Sequence, residues 1–311
     1  MTAAPDALVL GSGIIGLTTA LALQEAGSRV RIRTAAPPEE TTSAKAAAMV
    51  GPNLDPPGSP GHRWQRETLR RLRAAPPGVR VLEGRLAARP AGAIPPGADQ
   101  TEGFRLCEPA ELPEGYGTGF WVTLPIVDTP KYLRHLRSEF EAGGGTLEVR
   151  PAASLAEASA ECPAVVNCTG LAARELAADD RVEPVRGIKV VVADPGLETF
   201  FLEAPINPEW ATYLPHGDHV VLGGVQTGGT DPEPSGAEVA AILERCVRVE
   251  PRLAGAELLE ASVGFRPGRD EVRLEADRDG GSVVVHNYGH GGSGVMYSWG
   301  CAADVVALLG S

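Results

Sequence analysis

The stretch Asp6-Ala7-Leu8-Val9-Leu10-Gly11-Ser12-Gly13-Ile14-Ile15-Gly16 carries a short apolar run into three glycines, and a long Ala/Leu/Ile segment to Ala26 follows. Gly27 stops that segment, after which Val30 and Ile32 alternate with Arg29, Arg31 and Arg33. The order is strand, glycine turn, helix and second strand, a βαβ unit at the N-terminus. Its turn has the spacing G-x-G-x-x-G. Gly11 permits the tight turn, Gly13 lets backbone approach a diphosphate, and Gly16 lets the helix lie close to the strand. Gly11, Ser12, Gly13, Ile14, Ile15 and Gly16 would then present the free N–H groups and positive dipole end of the helix to that diphosphate. The acidic residue expected about 20 positions on to hold a ribose would fall at Thr34 or Ala35, and neither is acidic. Glu39 and Glu40 come next, in a Pro-flanked loop that reads as a solvated turn. The ribose-binding group stays unassigned, with Thr34 or a backbone group as alternatives.

Outward from this unit, residues 34–61 are irregular and rich in Pro, Thr and Ala. Helices are expected over His62–Ala74, over Thr129–Ala142 with Pro130 in the first turn, and from the capping box Ser235-Gly236-Ala237-Glu238 to Arg248. Strand-like pieces fall at 79–83, 119–124, 162–168, 186–193 and 219–223. A last strand, Val283–Asn287, feeds a second glycine loop, Tyr288-Gly289-His290-Gly291-Gly292-Ser293-Gly294, and Met296–Leu309 closes the chain as a helix. Glycine loops of similar form at both ends predict a nucleotide-binding domain made of 1–54, 142–185 and 276–311. A second domain, 55–141 and 186–275, is then interleaved with it.

The chain has 311 residues, 43% hydrophobic and 22% charged, ordinary globular usage for one large or two modest domains. Its net charge of −12 disfavours nucleic acid as a partner. Five cysteines, odd in number and never spaced C-x-x-C, argue against a disulfide framework and a structural zinc site, so no metal is expected. Ala7–Gln24 carries no charge, yet its glycines and the lack of a basic start fit neither a membrane span nor a signal peptide. A soluble, cytoplasmic protein without a membrane partner is the expectation. The ending Leu308-Leu309-Gly310-Ser311 is not a peroxisomal address.

Further pieces add up to a resemblance. His286-Asn287-Tyr288-Gly289-His290-Gly291-Gly292-Ser293-Gly294 with Trp299-Gly300-Cys301-Ala302 is the most specific. Val263-Gly264-Phe265-Arg266-Pro267-Gly268-Arg269, Val166-Asn167-Cys168-Thr169-Gly170, Glu183-Pro184-Val185-Arg186-Gly187 and Thr41-Thr42-Ser43 before an alanine run join it. Along the chain these pieces come in the family's order and span nearly its whole length, so that it resembles the D-amino-acid oxidase family of flavoproteins. The resemblance implies noncovalent FAD in a doubly wound, Rossmann-type α/β domain beside a mostly β substrate domain. It implies oxidation of a D-amino acid to an imino acid, hydrolysed to a 2-oxo acid and ammonia, with dioxygen leaving as hydrogen peroxide. The redox chemistry belongs to the cofactor. No acid–base catalytic residue is required if the amine binds neutral and a hydride leaves the α-carbon. A homodimer is compatible with this reading and not demanded by it.

Residue by residue, Arg266 matches the family's carboxylate-binding arginine, and a planar guanidinium grips a carboxylate with two parallel bonds. Tyr213, before Leu214-Pro215, matches a tyrosine whose hydroxyl reaches the same carboxylate. Gly291 and Gly292 match glycines whose backbone lines the flavin, with a carbonyl at the substrate amine. Ser293, Gly294, Val295 and Met296 continue along the ring. Thr41, Thr42 and Ser43 look like hydroxyl donors to the diphosphate or ribose, and Ala46, Ala47, Ala48 and Met49 like backbone passing the ring. His290 and His286 read as structural, Arg269 and Arg273 as structural or exposed.

Two departures bear on the substrate. Where the family commonly has a large aromatic and a polar residue after the alanine run, this chain has Val50 and Gly51, which predicts a wider floor. Phe200–Thr212, the lid region, holds no Tyr, Lys or Arg but has Glu203 and Glu209. Acidic substrates are therefore disfavoured, and neutral or basic side chains expected. The alternatives are an FAD oxidase of glycine, a secondary amine or a biosynthetic-pathway amino acid on the same fold. A nicotinamide-dependent dehydrogenase, which the first motif alone would also serve, is disfavoured by the second glycine loop.

Overall fold

The computed structural model describes residues 6–89, 94–205, 209–227, 229–279 and 281–310. β1 (Ala7–Leu10) passes through the glycine turn into α1 (Ile14–Glu25), and β2 (Val30–Thr34) returns parallel to β1 with Val9 opposite Ile32. Single 3-10 turns at Pro38–Glu40 and Thr42–Lys45 lead to β3 (Ala48–Met49), α2 (Pro60–Leu72) and β4 (Val79–Ala88). β5 (Arg105–Leu106), β6 (Thr118–Val127), α3 (Thr129–Ala142), β7 (Thr146–Val149), α4 (Leu155–Glu161), β8 (Ala164–Asn167) and α5 (Ala173–Leu176) follow. Then come β9 (Glu183–Ala193), β10 (Phe200–Glu203), β11 (Glu209–Pro215), β12 (His219–Thr227) and α6 (Gly236–Val249). The chain closes with β13 (Leu258–Gly268), β14 (Arg273–Asp279), β15 (Ser282–Tyr288) and α7 (Gly294–Gly310).

Two sheets result. The first has the order β14-β15-β8-β1-β2-β7, parallel except for β14. β1 is buried on both faces: Ala7 and Val9 join the core under α1, α3 and α7, while Leu8 and Leu10 pack with Ala158 and Cys162 around α4. Helices on both faces of a parallel sheet make this the doubly wound architecture. The second sheet has the order β13-β9-β12-β11-β10-β4-β6-β3, with β5 on β6, and is antiparallel apart from the β10–β4 pair.

The interleaving differs in detail from the boundaries expected. α2 and α3 fall within 55–141, yet both pack on the six-stranded unit. Tyr132, Leu133, Leu136 and Phe140 of α3 share its core with Leu17, Ala20 and Leu23 of α1. At α2, the Arg71 guanidinium lies 4.4 Å above the Trp299 ring of α7, and a Cβ at Gly300 would collide with the Trp64 backbone. Each helix puts its apolar stripe where a half-covered sheet face needs it. α2 also begins at Pro60, not His62, because the Ser59 hydroxyl accepts from the His62 N–H and Pro60 takes the first helical position. Beyond the expected elements, β7, β10, β11, β13, β14, α4 and α5 also form.

All five cysteines are free thiols. Among the described residues no helix is long and apolar enough to cross a membrane. Ser311 and residues 206–208 of the lid region lie outside the described residues.

Candidate active site

A cavity of about 830 Å³ runs from the end of β1 to the face of the nine-stranded sheet. Three backbone segments meet along it. The glycine turn contributes Gly11, Ser12, Gly13, Ile14 and Ile15; the loop after β2 contributes Thr41, Thr42, Ser43, Ala46, Ala47, Ala48 and Met49; the second glycine loop contributes Gly291, Gly292, Gly294, Val295 and Met296. Sequence reasoning named all of these, and the fold brings them together. Two other named residues stand back. Gly16 lets α1 close on β1, since a Cβ there would run into the Gly11 carbonyl. Ser293 lies outside the lining, its hydroxyl beside Tyr297.

The residues present fit a dinucleotide. The Ser43 hydroxyl accepts from the Ile14 N–H at 3.0 Å and lies 3.0 Å from where a Gly13 Cβ would sit, so the cradle has room for backbone alone. At the end of β2, the Ser12 and Thr34 hydroxyls stand 2.9 Å apart and both donate to the Ala36 carbonyl. Thr34 lines the cavity, as does Glu40. His290 Nε2 and Asn287 Oδ1, buried atoms of cavity-lining residues, have no hydrogen-bond partner among the described residues. Burial pushes His290 down to about 3, so its ring is neutral at ordinary pH.

Arg266 sits at the far end. Its guanidinium lies over Gly187 of β9, where a Cβ would collide with it, and its Cδ is 3.8 Å from the Cβ position of Gly292. A weak 3.4 Å bond from Nη1 to the Arg186 carbonyl is its one hydrogen bond among the described residues, and no carboxylate pairs with it there. Burial pulls its pKa below the ordinary arginine value. The other arginines of the neighbourhood are neutralised: Arg269 pairs with Asp179 at 3.0 Å, and Arg273 bonds Glu275 and the Tyr288 hydroxyl. Arg266 is therefore a partly buried guanidinium of the cavity lining with no carboxylate paired to it among the described residues.

Asp179 ties the second glycine loop down. Desolvation alone would raise its carboxyl, but bonds from Arg181, Tyr288 and Arg269 outweigh that and hold it well below the usual carboxylate range. A folded-state value depressed in this way contributes stability above the unfolded carboxyl pKa, lost as pH falls through the folded value. Asp179→Ala leaves buried Arg269 without its partner and should cost about 3 kcal/mol, read by denaturant unfolding. A loss under about 0.5 kcal/mol would show the network to be incidental.

Two expectations are corrected. Tyr213 does not line the cavity. Side chains alternate along β11, so Trp210, Thr212 and Leu214 face the cavity while Tyr213 faces away, stacked on Phe201 at 5.9 Å. The acids of the lid region do not face a substrate either. Glu203 shares the Tyr213 face, where it accepts from Arg89, Tyr116 and the Ala211 N–H. Glu209 pairs with Arg245. Preference for basic side chains thus loses its support. Val50 is buried in the core, and only Gly51 reaches the floor, against Leu124. From the nine-stranded sheet the cavity is lined instead by residues that include Leu202, Trp210, Thr212, Leu214 and Gly224. The parity of β11 was a usable signal for this wall; the cross-strand partners were not readable.

Comparison with known proteins agrees with this geometry. A family model described as FAD dependent oxidoreductase matches residues 6–308. The chain is 46% identical to a D-amino-acid oxidase of Rubrobacter xylanophilus, with 98% of this chain and 96% of the relative covered. It is 42% identical to a D-amino-acid oxidase of Streptomyces coelicolor, covering 97% and 96%. Among solved structures, a glycine oxidase from Geobacillus kaustophilus superposes with a TM-score of 0.80 over 99% of this chain and 95% of that one. At 20% identity that likeness speaks for the fold alone.

Proposed function

The chain belongs to the FAD-dependent oxidoreductase family, and from that premise we propose that it oxidises a D-amino acid with a neutral side chain to the 2-oxo acid and ammonia, reducing dioxygen to hydrogen peroxide. The observation that carries the reading is Arg266, a partly desolvated guanidinium beside Gly292 in the cavity lining, with no carboxylate paired to it among the described residues. A fork of this kind selects a carboxylate and fixes its plane. Residues 11–15, 41–43, 46–49, 291, 292 and 294–296 would hold FAD noncovalently, with Gly16 and Ser293 behind them. When bound, FAD supplies the two-electron oxidant and the route to dioxygen. The protein's part is orientation. Arg266 pins the carboxylate, the Gly292 backbone receives the amine, and Leu202, Trp210 and Leu214 surround the side chain and exclude water. His290, neutral and buried, is a poor base at ordinary pH. The amine accordingly enters neutral, and no protein group has to take a proton in the oxidative step. The D configuration is supported by the kinship with D-amino-acid oxidases, the neutral side chain by the apolar wall.

The test is anaerobic. The purified holoprotein is mixed with D- and L-amino acids of neutral, basic and acidic side chain, and with glycine and sarcosine. Bleaching of the visible flavin band by neutral D-isomers is the expected result. Bleaching by glycine or sarcosine alone, or by none of the panel, would overturn the reading.

A further inference from the structure

Behind the apolar wall, the nine-stranded sheet is irregular at one place. On β11, Trp210 and Ala211 together oppose Gly224, because Glu209 pairs with Val225 and Thr212 with Gly223. On β12, three residues (223–225) oppose two of β9, because Leu222 pairs with Val190 and Gln226 with Gly187. Bulges of this kind re-aim side chains and interrupt the ladder. The backbone groups they release must find other partners.

Helix α6 supplies them from the far face of the sheet. Arg245 Nη2 donates to the Gly224 carbonyl at 3.3 Å, and the Cys246 thiol to the Thr212 and Gly223 carbonyls at 3.3 and 3.6 Å. The other arm of Arg245 donates to Glu209 at 3.0 Å. Its guanidinium thus grips the residue before Trp210 and the residue beneath the Trp210 ring, since a Cβ on Gly224 would collide with the indole. Arg245 is 8% exposed, a costly place for a cation where an apolar side chain would pack the helix as well. The pair with Glu209 runs from the interior outward, the Arg245 side chain being 10% and the Glu209 side chain 63% exposed, so it fixes the outer arm of the fork at the surface.

We infer that Arg245, which touches neither substrate nor cofactor, is the positioning residue that holds Trp210 as a wall of the substrate cavity and so limits the size of the side chain accepted. The inference rests on the substrate end proposed above. Arg245 acts only through Glu209 and Gly224, and it needs both arms of its fork. A lysine, with one point charge, reaches one of the two partners.

The test uses FAD-loaded Arg245→Met, Arg245→Lys and Glu209→Gln, assayed on D-alanine, D-valine, D-methionine and D-phenylalanine. In Arg245→Met the ratio of kcat/KM for the largest to the smallest substrate should change about tenfold, carried by KM, with kcat for D-alanine within about twofold. Arg245→Lys should recover part of that change. A second readout needs no turnover: acrylamide quenching of Trp210, isolated by difference against Trp210→Phe, should rise in Arg245→Met. If that variant fails to fold, Arg245→Lys carries the same two readouts. A folded, yellow variant with unchanged quenching and an unchanged size ratio overturns the inference. A parent protein inert to every D-amino acid overturns the proposed function, and the quenching then decides the Arg245 question by itself.

Discussion

Arg266→Met lowers kcat/KM for a neutral D-amino acid by about a thousandfold, or ~4 kcal/mol, the scale of truncating one partner of a buried, hydrogen-bonded charge pair. The FAD content stays unchanged. Two companion results separate this from general damage. The first is selectivity: the parent prefers the acid over the corresponding D-amino acid amide, and the variant loses that preference, because what it lost was the anion's partner. The second is stability. Without substrate the parent holds a partly desolvated guanidinium with no carboxylate beside it among the described residues. Replacing it by an apolar side chain of similar length relieves that cost, so the melting temperature holds or rises while activity collapses. Arg266→Lys retains charge but not the fork and falls between. A loss below about tenfold in Arg266→Met would remove the carboxylate from this end of the cavity.

Gly16→Ala is the second large effect. The added Cβ has nowhere to go, because the Gly11 carbonyl occupies its place and backbone cannot rotate aside as a side chain can. α1 has to lift from β1, and the glycine turn between them opens. Ile14, whose N–H bonds Ser43, moves with it, which separates two of the three segments lining the nucleotide end. The variant should purify colourless. Its affinity for added FAD, measured by quenching of flavin fluorescence, should fall at least about a hundredfold, ~2.7 kcal/mol. A variant that copurifies with a full complement of flavin would show that helix–strand contact at Gly16 is dispensable.

The parts of the site that could be read from sequence are those made of backbone. Gly11, Gly13 and Gly16 announce themselves because other residues do not fit there, and the spacing records the geometry directly. The second glycine loop is similar. Ser235 marks a helix start because a hydroxyl at that position takes a specific N–H, whereas the same cap at Ser59 went unread. The substrate end was harder, for a physical reason. A strand shows one set of residues to each face, and Tyr213, assigned by resemblance without regard to parity, falls on the face turned from the cavity. Glu203 failed likewise: it sits on the same face as Tyr213, where the released Ala211 N–H needs an acceptor. The placement of α2 and α3 was not legible either. An amphipathic stripe says that a face is buried, not which sheet buries it. Arg245 carried no local signal, since its role is defined by two bulges on strands remote from it in sequence.

The position of β15 bears on how the molecule is made. This strand, Ser282–Tyr288, is not an edge addition: it lies between β14 and β8. Translation delivers it more than a hundred residues after β8, its neighbour in the sheet. Until then β8 stands as an unpaired border with exposed N–H and C=O groups, an invitation to mispairing. The glycine loop that completes the nucleotide cleft is later still. The nucleotide cleft is therefore complete only once a segment far along the chain has paired with strands formed much earlier.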